Sequence, residues 1–127
     1  LAKISYRVCA SARYLQNVDA TDLAALTWIA PDEFLPDHPT VAWRRQQLPG
    51  VIPSYRCNSM LSVTELVRGG LGVAALPDFL ITEGLQPLSA PLHGYDTALW
   101  LLTRADCRAL RAVVTLFDEL GRALRLP

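Results

Sequence analysis

Residues 53–76 constrain the fold more than any other part of the chain, because three kinds of backbone signal follow one another there without a gap. PSYRC (53–57) is a strand candidate. Asn58 and Ser59 then precede a helix in which Met60, Val63 and Val67 share one face with Leu66 beside them. Gly69 and Gly70 end that helix by supplying the left-handed backbone that a helix C-terminus commonly adopts. LGVAAL (71–76) is fully apolar, as a strand covered on both faces should be.

The same alternation extends in both directions. ISYRVCA (4–10) reads as a strand, and Ser11 caps a short helix, ARYLQNV. Asp22 caps a brief turn, and LTWIA (26–30) is an apolar strand stopped by Pro31. Within the proline-rich segment 31–50 only residues 40–48 look helical, with Thr40 as cap. Pro77 and Asp78 introduce a short helix, DFLITE, closed by Gly84, and residues 85–95 read as a loop. TALWLLT (97–103) is a fifth strand, and Asp106 caps the longest helix, residues 107–124. Its apolar positions Leu110, Val113, Val114, Phe117, Leu120 and Leu124 form one stripe, and Asp118 and Arg122 are spaced to pair. Strands alternating with helices predict an α/β architecture with a largely parallel sheet.

With 127 residues and 51% hydrophobic side chains the chain holds one compact domain and is not disordered. Twelve basic and twelve acidic residues cancel, so a free-standing nucleic-acid binder is not expected. No apolar run approaches the ~20 residues of a membrane span, which leaves no membrane partner to expect. The chain starts at Leu1 without a secretory pattern and reads as a piece of a longer polypeptide. Cys9, Cys57 and Cys107 match no zinc or redox spacing and read as reduced thiols of a cytoplasmic protein. A Cys9–Cys57 sensor pair is conceivable only if their strands are neighbours.

In an open α/β sheet, ligands bind beyond the carboxyl ends of the strands. Two such ends, Cys9-Ala10-Ser11 and Cys57-Asn58-Ser59, run straight into helices whose unpaired N–H groups would favour an anionic or polar molecule. Ser11, Asn58, Ser59 and Met60 are therefore the candidate ligand-binding residues. As caps alone, the three polar side chains would each contribute ~1 kcal/mol to a helix. Catalytic residues are not expected. Ser59 lacks a nucleophile-elbow motif, and His38 and His93 lie in proline-bounded loops. Asp32, Glu33 and Asp37 near His38 lack a metal-holding spacing, so neither metal nor cofactor is expected. Arg44 and Arg45, on the short helix, read as solvated or as a carboxylate contact.

The run YRCNSMLSVTELVRGGLGVAALPDFL (55–80) resembles the effector-binding domain of LysR-type transcriptional regulators, with Val67, Gly70, Gly72, Val73, Leu76 and Pro77 in the expected places. VCASARYL (8–15) is similar to the family's strand followed by S-P-x-Y-L, with Ala12 in place of Pro. LWLLTRADCRALRAVVTLFDEL is similar to its closing strand and helix. The resemblance implies a periplasmic-binding-protein-like (type II) lobe with a mostly parallel five-stranded sheet. Residues 1–105 would be the effector-binding lobe, the second regulatory subdomain. Residues 106–127 would be a C-terminal helix belonging to the other lobe, the first regulatory subdomain.

Residues 4–10 would then be the incoming crossover strand and residues 97–103 the returning one. The implied function is effector sensing in an interlobe cleft by a homo-oligomeric regulator that meets DNA only through an N-terminal winged helix-turn-helix outside this chain. The last helix, without its natural sheet, would expose its apolar stripe. A transporter's solute-binding protein shares the two-lobed fold and is the alternative. An enzyme using Cys57 or Cys9 as nucleophile is a further one, and needs a nearby base and a lowered thiol pKa.

Overall fold

The computed structural model describes residues 2–32 and 34–124. Seven strands and four helices follow one another as β1 (Ala2–Ile4), β2 (Tyr6–Ser11), α1 (Ala12–Leu15), β3 (Ile29–Pro31), α2 (Pro39–Gln47), β4 (Tyr55–Cys57), α3 (Met60–Arg68), β5 (Ala74–Pro77), β6 (Leu85–Pro87), β7 (Thr97–Leu99) and α4 (Arg111–Ala123). The α/β character expected from the alternation is present.

The expected first strand is in fact two. β1 pairs antiparallel with β7, whereas β2 pairs antiparallel with β5 on one side and β6 on the other. Ser5 is the switch between partners. Its hydroxyl donates to Asp96 Oδ1 (2.9 Å) beside β7, while its carbonyl accepts Asp78 N–H (2.9 Å) at the end of β5. Tyr6 completes the junction with a 2.9 Å hydroxyl contact to Thr97.

Among the described residues, parallel pairing is confined to β3 with β4 and to a bridge between Trp28 and Val73. In that bridge Val73 N–H donates to the Thr27 carbonyl (2.8 Å) and Ile29 N–H donates to the Val73 carbonyl (2.9 Å). These bonds lay β4, β3, β5, β2 and β6 side by side. The expectation of a mostly parallel sheet thus needs correction, since most ladders are antiparallel. The reversed direction of β2 makes both of its ladders antiparallel, and two sequence assignments also change which strands take part. Residues 97–103 were expected in this sheet, but among the described residues β7 pairs with the three-residue β1 instead, and Trp100 and Leu102 lie exposed beyond it. Residues 85–95 were expected to be loop, but Leu85, Gln86 and Pro87 pair with Ser11, Ala10 and Cys9. A strand containing proline survives there because β6 is an edge.

Side chains alternate across this sheet into two cores. On the α3 side, Cys9, Ile29, Ala74 and Leu76 pack with Val63 and Val67. On the other side, Tyr6, Val8, Ala10, Trp28, Val73 and Ala75 form the core, with Trp43 of α2 against it. Trp28 and Trp43 are stacked at a tilt, 6.0 Å between centroids, and Trp28 Nε1 donates to the Leu23 carbonyl (2.8 Å).

Helix boundaries follow their caps. Ser11, Asp22 and Ser59 cap as expected. His38, rather than Thr40, caps α2: its Nδ1 accepts the Thr40 N–H at 3.3 Å, and Thr40 itself is buried. Residues 78–83 form only one 3-10 turn, Asp78–Leu80. The last helix starts at Arg111, because Asp106 turns its carboxylate to Arg104 (2.6 Å) instead of capping. Arg122 pairs with Glu119 (2.7 Å), not Asp118. No α4 residue is buried, and Leu110, Val114 and Leu124 are exposed, so the unpartnered stripe is present. Arg125, Leu126 and Pro127, expected after that helix, lie outside the described residues.

Two stability outcomes follow from this packing. Gly70 has φ +84°, but Gly72 is the tighter constraint, because a Cβ there would lie 2.3 Å from the Thr27 carbonyl oxygen. Gly72→Ala is expected to cost ~1–3 kcal/mol in urea denaturation, since the clash is with backbone that holds β3 to β5. The second concerns His38, half-buried edge-on against the Tyr6 ring (5.6 Å), whose burial holds its pKa below the ordinary 6.5. Unfolded chains bind a proton there before folded ones do. Stability is therefore expected to be full above pH ~6.5 and to fall as the pH drops from there toward the depressed folded value. Melting temperatures across that range should show the decline, and His38→Asn, which retains a capping oxygen, should flatten it.

Candidate functional site

The sheet has two rims with different chemistry, and strand direction decides which residues share one. β3, β4 and β5 point the same way, so Pro31, Cys57 and Pro77 end at one rim. β2 runs against β5, with Tyr6 opposite Pro77 and Cys9 opposite Ala74, so Ser11 ends at the other rim. The Ser5–Asp96 and Ser5–Asp78 bonds place the β1–β7 ribbon at the first rim.

Ser59, Asn58 and Met60 belong to that first rim. Ser59 Oγ accepts the Ser62 N–H (3.1 Å) and also lies 3.1 Å from Ser62 Oγ. The first intrahelical bond of α3 runs from Val63 N–H to the Ser59 carbonyl (3.1 Å), leaving the Met60 and Leu61 N–H groups directed out of the helix end. Asn58 is exposed, and among the described residues its amide has no partner. Met60 is half-buried against the α3-side core, while its carbonyl accepts Thr64 Oγ (2.7 Å). The chain ends of β3 and β4 are joined there by Asp32 N–H donating to the Cys57 carbonyl (2.8 Å).

Ser11 does not join them. It is buried, accepts the Tyr14 N–H (3.2 Å), and sits beside Gly70 at the opposite end of α3, where a Cβ on Gly70 would come within 3.6 Å of its Oγ. A helix of this length separates it from Ser59 by roughly 15 Å. The expected convergence of two helix starts is therefore corrected to one, for the physical reason that β2 is the antiparallel strand. Sequence periodicity does not report strand direction.

Two rim residues escaped the sequence reading. Arg7 Nε lies 3.2 Å from Asp78 Oδ1, a charge contact that is not aligned as a hydrogen bond, and with Ile81 and Pro87 the pair lines a cavity of about 260 Å³. The available signal was Asp78 directly after an apolar strand. Lys3 pairs with Asp96 (2.9 Å) on the ribbon, and hydrogen bonds from Lys3 and Ser5 hold the Asp96 carboxyl below its usual range.

The cysteines are not neighbours. β3 and β5 lie between the strands of Cys57 and Cys9, which puts them ~14 Å apart, twice the reach of a disulfide. Burial, with Asp78 nearby, pushes the Cys9 thiol up to about 12, and burial, then Asp32, raises that of Cys57. Both shifts oppose thiolate formation, the reverse of what a nucleophile needs. Labelling with a chromogenic disulfide at pH 7.5 is expected to leave Cys9 untouched until the chain unfolds and to modify Cys57 more slowly than a free thiol. Prompt labelling of Cys57 would reopen the nucleophile reading. Glu33 of the acidic loop lies outside the described residues. Among those described, no cluster of three metal-ligating side chains occurs, and no helix is long and apolar enough to cross a membrane.

Comparison with known proteins accords with this architecture. The profile of the family described as LysR substrate binding domain matches residues 1–125. The C-terminal domains of a LysR family protein from Agrobacterium tumefaciens str. C58 share 18% identity with the chain and superpose with a TM-score of 0.60. That likeness, one of fold, covers 100% of this chain and 66% of the other. No curated protein matches the chain.

Proposed function

The chain belongs to the LysR substrate-binding domain family, and from that premise we propose that it is the effector-sensing part of a LysR-type transcriptional regulator. The observation that carries the reading is the first rim. There the free amide of Asn58 and the open N–H groups of α3 stand at the edge from which the β1–β7 ribbon departs. A paired ribbon is a natural hinge to a second lobe, because it crosses between bodies as two short strands, with Ile4 at its base packed on this lobe's core.

In this reading residues 1–105 form the second lobe of a type II periplasmic-binding-protein-like unit, and residues 106–127 belong to the first. The bare stripe of α4, with exposed Trp100 and Leu102 leading to it, supports that division. Asn58, Ser59 and Met60 line the lobe's half of the cleft. Ser59 has its oxygen engaged in capping, so it offers the helix end rather than its hydroxyl. Asn58 supplies the directional contact. Arg7 and Asp78 stand where lobe closure would change their exposure.

The effector is then a small polar or anionic molecule that is bound, not transformed. It shifts the lobe arrangement by the difference in its affinity for the open and closed forms. A winged helix-turn-helix elsewhere in the polypeptide contacts DNA, and the regulator works as a cytoplasmic homo-oligomer.

Thermal-shift screening of the intact two-lobed regulator against organic acids and amino acids tests this reading. A stabilising compound is expected to bind about tenfold more weakly to Asn58→Ala, the loss of roughly one hydrogen bond. Unchanged affinity in that variant would remove Asn58 from the site.

A further inference from the structure

A second cavity, of about 350 Å³, opens on the α2 face of the sheet, and three arginines line it. The placement follows from register. Arg56 of β4 stands opposite Ala30, which shares its face with Trp28, and Trp28 packs on Trp43 of α2. Arg56 is thereby turned toward Arg44 and Arg45 of α2, with Pro31 and Asp32 closing the cavity at the end of β3.

Among the described residues, the charges in this cavity are not balanced. Arg7, Arg68, Arg104 and Arg122 each have a carboxylate partner. Among the described residues Arg44, Arg45 and Arg56 have none, and although Arg13, Arg108 and Arg111 also lack one, it is the former three that meet in one cavity. Arg44 makes one protein hydrogen bond, from Nη1 to the Val51 carbonyl (3.4 Å), which anchors it without neutralising it. Among the described residues Asp32 is the carboxylate that lines the cavity, and its Oδ1 is oriented by the Phe34 N–H (3.0 Å). Arg44 is part-buried, and that burial, with the charges of Arg45 and Arg56, lowers its pKa.

Like charges held together in a concavity at a cost to folding call for a counter-charge, and guanidinium groups match oxyanions by paired N–H donors. We propose that this cavity binds a compact oxyanion of at least two negative charges, a phosphate or a polycarboxylate, with Arg44, Arg45 and Arg56 as its donors. The site adjoins the proposed effector cleft at the rim, where Asp32 N–H meets the Cys57 carbonyl, but its arginines reach in from the α2 face, whereas α3, which begins at Asn58 and Ser59, covers the opposite one.

Titration of the 127-residue chain at constant ionic strength with inorganic phosphate and, separately, citrate tests the proposal by calorimetry and amide NMR. Acetate serves as the monovalent control. Saturable binding of either dianion or trianion is expected, with shifts centred on residues 31–32, 44–45 and 56, and the tighter of the two names the ligand class. The Arg45→Gln/Arg56→Gln double variant, both changes on exposed side chains, should bind at least about tenfold more weakly with an unchanged circular dichroism spectrum. Asn58→Ala should bind as the parent does. Binding that is absent, equal for acetate, or unaffected by the double variant overturns the proposal, and so does loss of anion binding in Asn58→Ala, which would move the ion to the effector cleft.

Discussion

Two backbone hydrogen bonds, from Val73 to Thr27 and from Ile29 to Val73, join the β3–β4 pair to the β5–β2–β6 sheet. Without them the two pieces would each be too small to cover both faces of a core, since neither a pair nor a triple of three-to-six-residue strands buries much alone. The bridge works because Gly72 has no side chain: its backbone passes the Thr27 carbonyl at a distance that no Cβ fits. The residue that weakens a strand elsewhere is here what lets two strand systems become one.

That junction also sets the polarity of the site. Once β3, β4 and β5 are parallel neighbours, their ends and the start of α3 must share a rim, and the antiparallel β2 must deliver Ser11 to the other. Asp78, at the end of β5, reaches both the Ser5 carbonyl and Arg7, so the same rim receives the β1–β7 ribbon. A sensing lobe needs this coincidence. On the function proposed above, a ligand held where the β1–β7 ribbon leaves can bias it, whereas one held at the Ser11 rim would be remote from it.

Charge is distributed by the same geometry. The net charge is zero, yet α2 and β4 bring Arg44, Arg45 and Arg56 to one cavity while most of the acids sit elsewhere or are engaged. Arg68 shows the opposite use of a guanidinium, tying the end of α3 to Thr82 and the Glu83 carbonyl (2.8 Å) as well as to Glu65. A neutral composition excludes a broad basic surface but says nothing about local convergence.

The sequence by itself determined the local elements with strong internal signals: α3 between its Ser59 cap and its terminal glycines, the apolar run that became β5, the α/β character and, through its family-like motifs, the kind of lobe. It also showed which helix stripe would lack a cover. These are properties of contiguous residues, whose periodicity and capping chemistry act over a few positions. Tertiary structure alone decided the break at Ser5, the recruitment of Leu85–Pro87 as a strand, the short reach of β7 and the separation of Ser11 from Asn58. Each of those depends on which partner a strand meets and in which direction, a choice made by hydrogen bonds between residues far apart in the chain, and side-chain alternation is the same whichever way a strand runs.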